Sequence, residues 1–546
     1  MSKRNQIILT GCIIKKHMQK ASDDTGKIAK SAGAVSGAVM CSRILGLIRE
    51  QVFATFFGAG FAYDSFVVAF RIPNLLRDLF GEGALSAAFV TVFSDYDTNK
   101  GTAATWKLAS NVLVFISILL SLLTLVGIYF SHGILSVLAP DFALIANKME
   151  LTQKLTVIMF PFLIFISLSA VVMGILNTKG RFFVPAMASS FFNLGSIVGG
   201  VTLALIAPRF GQPPIVGMAI GTLIGGLLQF LMQLPTLLKT GFSFRPHLDL
   251  RDPGLKRILL LMVPAIIGLS ATQINIFVNT NFAASCAQGS VSWLNYAFRL
   301  VQFPIGVFGV ALSIATLPVI ARYAAVKNMN KLKESYVSSL TMVFCLTIPA
   351  TVGLILLAEP IIRLIFQHGA FTPYDTTKTA EALSFYALGL FAYAAVKIMV
   401  PVFYALNHTR YPVIGSFLTV GANIIIILLT IDHFQHKAIA LSTSCTMFFN
   451  FLFLSIILHQ KLAGYSLKYL LTGLTKVLFA ATTMGVYLIG LQNDMAAWIR
   501  QGFMQELTAL LFLIISGAAL YGGLLYLLQL KELTFLVDKI IQRIHG

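Results

Sequence analysis

The sequence predicts an all-α polytopic membrane protein of about fourteen transmembrane helices, arranged as two parallel-repeat six-helix lobes plus two extra C-terminal helices. Three observations carry this. Apolar residues make up 57% of the 546 positions and charged residues only 11%, with a mean hydropathy of +0.83; a soluble protein carries about 25% charged residues. The apolar residues gather into stretches near the roughly 20 residues that one span needs. Short segments also recur at a shift of about 228 residues, which is the mark of an internal repeat.

The first 30 residues hold seven Lys and Arg and a short apolar run, Ile7 to Ile14. That run is too short for a span, and no A-x-A cleavage pattern follows. Residues 1–30 are read as a basic cytoplasmic extension, or as sequence upstream of a start at Met18. Spans are then expected near 31–57, 62–95, 108–131, 152–175, 184–207 and 214–238, which form an N-lobe over 31–239. A basic stretch over 240–257 reads as a cytoplasmic linker. A C-lobe over 258–460 takes spans near 258–282, 290–321, 335–357, 380–405, 411–431 and 437–458. Residues 461–546 add spans near 471–491 and 505–528 and a cytoplasmic tail.

Topology follows from the cations. The N-terminus, the even-numbered connections and the C-terminus carry about 26 Lys and Arg, and the odd-numbered connections about 7. The positive-inside rule then puts both termini in the cytoplasm, as an even number of spans requires. The net charge of +19 thus belongs to cytoplasmic loops and not to nucleic-acid binding.

The second span is long enough as one helix to overrun the bilayer, at roughly 51 Å against a core of about 30 Å. Pro73 lies inside it, and Gly81 and Gly83 follow. It is expected to be bent or broken, which is tolerated at membrane depth only beside protein or water. The repeat pairs Ala69-Phe70-Arg71 with Ala297-Phe298-Arg299, and Phe80-Gly81 with Phe308-Gly309. It continues through Ala84-Leu85-Ser86 with Ala311-Leu312-Ser313, and Asn177 and Asn193 with Asn407 and Asn423. The shift covers six spans, so both copies share one orientation, as in transporters with a midplane cavity.

Charges inside the proposed spans point to the chemistry. The cations are Arg43, Arg49, Arg71, Arg77, Arg299, Lys397 and Lys476; the acids are Glu50, Asp64, Asp78 and Glu82. A charge at the bilayer centre costs at least about 2.5–3.5 kcal/mol, so these groups face a wet cavity or one another. Lys476, one turn into its span, is expected to snorkel to the cytoplasmic interface. Arg43 and Glu50 are seven residues apart and share a helix face. The remaining cations exceed the acids, which a purely structural network of ion pairs would not need. Guanidinium groups around a wet cavity suit a diphosphate, because Arg offers planar bidentate donors.

Other chemistry is thin. Five scattered cysteines with no C-x-x-C indicate neither a disulfide framework nor a zinc site. Asp432-His433 and His436 form a short cluster in an external loop with little claim to a metal. Gly81 and Gly83 belong to no phosphate loop, and no cofactor or nucleotide-binding domain is expected. The chain is read as a transporter and not an enzyme.

The motifs resemble those of the MurJ (MviN) family. The resemblance rests on Ser42-Arg43, Gly46 and Arg49-Glu50, then Phe57 to Gly60 and Asp64. It continues through Phe70-Arg71, Pro73-Asn74, Arg77 and Gly81 to Ala84. In the second half it takes in Gly289, Ser292-Trp293, Arg299, Phe303-Pro304, Gly306 and Gly309, and Lys397 to Pro401 with Tyr404. It covers roughly residues 31–530. It implies a lipid II flippase of peptidoglycan synthesis in the multidrug/oligosaccharidyl-lipid/polysaccharide exporter superfamily, resident in the bacterial inner membrane. By the same resemblance, Arg43, Arg49, Arg77 and Arg299 are the central substrate-binding arginines and Glu50 the acidic partner. Asp64, Arg71, Asn74, Glu82, Ser292 and Lys397 support the cavity. The implied partners are lipid II, membrane lipids and the cell-wall synthesis machinery. Phe298, Gln302 and Asp78 depart from the family's pattern of charges. A flippase for another polyprenyl-diphosphate-linked glycan, of the O-antigen type, shares this chemistry and stays open.

Overall fold

A computed structural model describes residues 35–499, 502–532 and 534; the extension expected over 1–30 and the end of the C-terminal tail lie outside them. The described residues form helices and connections, with no strand. In chain order α1 covers 35–57, followed by α2 (Phe61–Arg77), α3 (Ala84–Asn99), α4 (Gly101–Tyr129), α5 (Ser131–Leu138), α6 (Lys148–Met159) and α7 (Phe162–Thr178). Next come α8 (Phe183–Ile206), α9 (Pro214–Leu231), α10 (Leu234–Leu238), α11 (Pro253–Ser285), α12 (Ser290–Pro304), α13 (Ala311–Ala325) and α14 (Met329–Leu356). The last are α15 (Ala358–Phe366), α16 (Pro373–Ala387), α17 (Leu390–Ala405), α18 (Arg410–Phe434), α19 (His436–Lys461), α20 (Leu467–Ile499) and α21 (Phe503–Leu527).

Among the described residues, 11 helices are long and apolar enough to cross a membrane, or 12 if α16 and α17, bent by 42°, count as one span. The charged stretches 35–57 and 61–99 are helical as well, so the architecture is compatible with fourteen. The α16–α17 bend sits at Gly389, where a Cβ would come within 2.7 Å of the Ser444 Cα. Ser444 Oγ accepts the Gly389 N–H at 3.1 Å and donates to the Phe385 carbonyl at 2.6 Å. The freed backbone groups are thereby satisfied.

The expected break in the second span is a π-helical segment, Asp78–Gly83, between α2 and α3. A second π-helical segment, Ile305–Val310, separates α12 from α13, at the register the repeat predicts. In the second copy Pro304 supplies no N–H, so the regular ladder is lost there. In the first copy Gly81 lets the chain approach α7, with a Cβ placed 3.2 Å from Ser167 Oγ. The repeat therefore preserves a backbone irregularity as well as a helix count.

Two compact units emerge. Among the described residues, the first holds 35–50 with Ile72–Ser131 and Lys154–Ile267; the second holds Gln51–Arg71, His132–Gln153 and those from Gly268 onward. In the first unit α8 and α9 cross on glycine. A Cβ at Gly217 would lie 2.1 Å from the Ala204 nitrogen, and one at Gly221 2.3 Å from Gly200 Cα. Small residues let two membrane helices touch backbone to backbone. The linker is pinned to this unit. Asn111 Nδ2 donates to the Asp249 carbonyl at 2.9 Å, and Asn111 Oδ1 accepts the Asp249 N–H at 2.8 Å. Arg257 pairs with Asp95 at 2.6 Å and Lys179 with Asp97 at 2.5 Å, which brings together the ends of even-numbered connections, as parity demands.

The second unit has a continuous apolar core through α14, α17, α19, α20 and α21, including Phe344, Phe403, Leu458, Val477 and Leu513. Tyr521 of α21 donates to the Cys345 carbonyl of α14 at 2.7 Å. Lys476 Nζ donates to the Leu528 carbonyl at 2.7 Å. That carbonyl is one of the orphan acceptors at the end of α21, where a cation is favoured.

Candidate functional site

In the first unit α1 and the α2–π junction position the arginines. Arg49 Nη2 lies 2.9 Å from Glu50 Oε1, with both side chains largely buried, and its guanidinium sits 5.2 Å from the centre of the Phe192 ring. Its Nε–H is buried with no acceptor among the described residues. Asn193 of α8 fixes this part of α1 by donating to the Ser42 carbonyl at 3.1 Å. Arg43 is half-buried one helical face away and joins no ion pair among the described residues. Arg77 donates from Nη2 and Nε to Asp78 Oδ1 at 2.7 and 3.1 Å. Asn74 is half-buried nearby in sequence, and the Glu82 side chain lies outside what is described.

In the second unit Arg299 and Lys397 are exposed and Arg71 is half-buried. The Lys397 carbonyl accepts the Ser313 hydroxyl at 2.7 Å, which ties α17 to α13. The sequence grouped Asp64 and Ser292 with the cavity; the structure gives them a specific structural task. The Asp64 carboxylate, 1% exposed, accepts the Gly289 N–H at 2.8 Å, the Ser292 N–H at 3.0 Å and the Ser292 hydroxyl at 2.6 Å. Lys148 Nζ completes the set at 3.1 Å, stacked 4.1 Å from the Phe142 ring centre. Gly289, with φ +99°, has no side chain to cap α12, so Asp64 supplies the cap from α2. A carboxylate at a helix N-terminus meets the positive end of its dipole. With every oxygen engaged, this group has little left for a ligand.

Neighbouring contacts extend that clamp. Tyr296 donates to the Gly58 carbonyl at 3.0 Å, Asn295 to the Tyr63 hydroxyl at 2.9 Å, and Trp293 Nε1 to Asp375 at 2.9 Å. Ala370 N–H donates to the Thr55 carbonyl at 2.9 Å. All these groups lie at odd-numbered connections, which therefore share one end of the unit. Sequence reasoning missed Lys148 and Asp375. The available signal was Lys148 itself, one of few cations in the odd-numbered connections.

Among the described residues no three His, Cys, Asp or Glu side chains converge. His436 contacts the Lys378 carbonyl at 3.1 Å and packs edge-on against Trp293. A polar cluster joins α11, α18 and α19. Asn423 Nδ2 donates to Asn279 Oδ1 at 2.7 Å, Ser442 Oγ to Asn423 Oδ1 at 2.7 Å, and Asn279 Nδ2 to Thr443 Oγ1 at 3.2 Å. These amides and hydroxyls satisfy one another.

Comparison with known proteins gives this arrangement a family. The sequence profile described as "Lipid II flippase MurJ" matches residues 53–509. A probable lipid II flippase MurJ of Buchnera aphidicola subsp. Acyrthosiphon pisum (strain APS) is 36% identical over 504 residues, covering 92% of this chain and 98% of that protein. A solved structure of a lipid II flippase MurJ in an inward closed conformation superposes with a TM-score of 0.74 at 28% identity, over 91% of this chain and 98% of that one. An inward-facing multidrug resistance MATE family transporter of the MOP superfamily shares the fold alone, at TM-score 0.60 and 16% identity over 76% of this chain and 98% of that one. The chain belongs to the MurJ family.

Proposed function

We propose that this protein moves lipid II, the undecaprenyl-diphosphate-linked peptidoglycan precursor, from the cytoplasmic to the periplasmic leaflet by alternating access. The observation that carries the chemistry is Arg49: a largely buried guanidinium that already neutralises Glu50 yet keeps a buried donor with no acceptor among the described residues. Buried donors are nearly always paired, so one left open in a membrane helix is suited to an anionic ligand. Arg43, Arg77 and Arg299 join it in holding the diphosphate, with Glu50 as partner. Arg71, Asn74, Glu82 and Lys397 shape the polar wall, and the isoprenoid tail stays in lipid. No covalent bond changes, so the work is that of a carrier.

The lobes divide at the linker over 240–257, and both termini face the cytoplasm of the inner membrane. Cation-rich even-numbered connections favour that orientation. An O-antigen-type substrate shares the lipid diphosphate, and the family membership favours lipid II. The test is complementation of a bacterial strain depleted of its own lipid II flippase. Growth with normal cell shape supports the reading, and lysis on depletion despite full expression overturns it.

A further inference from the structure

We propose that the start of α18 and the end of α19 hold one anionic phospholipid, its phosphate between Arg410 and Lys461 and one acyl chain lying along α18. Both cations are exposed and gather on one aromatic ring. The Arg410 guanidinium lies 5.0 Å and Lys461 Nζ 5.6 Å from the centre of the Tyr411 ring. Arg410 Nη2 also donates to the Tyr411 hydroxyl at 3.1 Å. Tyr411 is held in place by Phe403 and His408, whose ring centres are 6.0 and 5.9 Å away. Neither cation meets a carboxylate among the described residues. Two like charges held on one ring without a counter-ion are a site for an anion. The N-terminus of a 25-residue helix adds to the attraction.

An apolar groove begins one turn above these cations. It is a shallow, open concavity of about 560 Å³ on the face of α18, whose lining from Val413 to Ile425, including Ile414, Phe417, Leu418 and Gly421, comes from this helix alone. Residues 410, 414, 417, 421 and 425 recur at helical spacing, so the groove stands on the same face as Arg410. Its length is about 18 Å at 1.5 Å per residue, close to half of a hydrocarbon core of about 30 Å. That is the reach of one acyl chain within one leaflet; an undecaprenyl chain is several times longer. Gly421 forms a notch in the wall: a Cβ there would meet nothing within 4 Å, so no packing inside the protein calls for a glycine. Charge and length together fit a diacyl phospholipid with an anionic headgroup. This assignment stands apart from the transport reading.

The experiment is native mass spectrometry of the purified full chain, released from micelles containing equal amounts of phosphatidylglycerol and phosphatidylcholine. The wild-type protein should retain one phosphatidylglycerol in preference. Near a membrane surface each Lys or Arg contributes about a fivefold preference, so Arg410→Gln with Lys461→Gln should lower the selectivity about 25-fold. Gly421→Phe fills the notch, leaves both cations in place, and should reduce the retained diacyl lipid at unchanged helicity. Equal selectivity in the wild type and the double variant overturns the proposal. Displacement of the bound lipid by equimolar undecaprenyl diphosphate overturns it too, because the groove would then belong to a transport substrate.

Discussion

Asp64 and Ser292, 228 residues apart, are joined twice: one carboxylate oxygen accepts both the backbone N–H of Ser292 at 3.0 Å and its hydroxyl at 2.6 Å. The contact caps α12 from α2. Lys148 neutralises the same carboxylate in a site where both side chains are 1–2% exposed. Removing one partner of a buried ion pair costs about 3–5 kcal/mol, while replacing both with apolar groups can be nearly neutral. Asp64→Ala should therefore lower the melting temperature markedly, and Asp64→Ala with Lys148→Met should recover part of the loss. Thermal unfolding in detergent checks this; a double variant less stable than Asp64→Ala alone would contradict it.

The arginines make a different prediction. Arg49→Ala and Arg299→Ala should each abolish flipping while the protein still inserts and folds. Arg→Lys at either position should retain little activity, because an ammonium loses the planar, bidentate geometry. Complementation paired with membrane expression levels separates the two effects. Full complementation by both alanine variants would mean that these charges serve only structural ion pairs.

Glycine positions should divide sharply by their surroundings. Gly221→Leu forces a side chain into the backbone of α8, where even a Cβ would sit 2.3 Å from Gly200 Cα. Overpacking costs typically about 1–3 kcal/mol and more where backbone must move, so folded yield should fall. Gly421→Ala, which meets nothing within 4 Å, should express at the wild-type level. Equal yields from the two variants would contradict the glycine-mediated crossing of α8 and α9.

Energy coupling is also testable. The spans corresponding to α11, α18 and α19 carry no Asp or Glu between 258–282, 411–431 and 437–458. Asn279, Asn423, Ser442 and Thr443 bond to one another, while Asn275 Oδ1 and Asn450 Oδ1 are buried without a partner among the described residues. A cation there would bind without a charged ligand, a weak arrangement for a hard ion. The excess of cations over acids among the intramembrane charges favours coupling to the membrane potential instead. Each charge crossing the full field gains about 2.3 kcal/mol per 100 mV. Flipping should persist when sodium is replaced by potassium or choline and slow when the potential is collapsed at constant pH. Loss of activity on sodium removal, with indifference to the potential, would contradict this.

Hydropathy and repeats made the span pattern legible, because a bilayer imposes length and apolarity on every crossing. The break in the second span was readable from Pro73, Gly81 and Gly83, and the π-segments at 78–83 and 305–310 follow the repeat register. Contacts between distant residues were not readable. Lys148 stands 84 residues from Asp64, and nothing in its local sequence marks it as buried. The acceptor of Lys476, the Leu528 carbonyl, was not readable either, because it belongs to the end of a different helix. The short helices α5 and α15 were missed, since each is too brief to raise a span signal. For the arginines, charge inside an apolar run was signal enough to name the residues, and the family resemblance already made Glu50 the acidic partner, but the pairing of Arg77 with Asp78 needed the folded backbone.

Transport itself is measured by reconstituting the full chain in proteoliposomes with labelled lipid II and following its exposure at the opposite leaflet under an imposed potential. Exposure should be far faster than in protein-free vesicles, and this acceleration should be lost in Arg49→Ala. Movement no faster than in empty vesicles, or equally fast in wild type and Arg49→Ala, would contradict it.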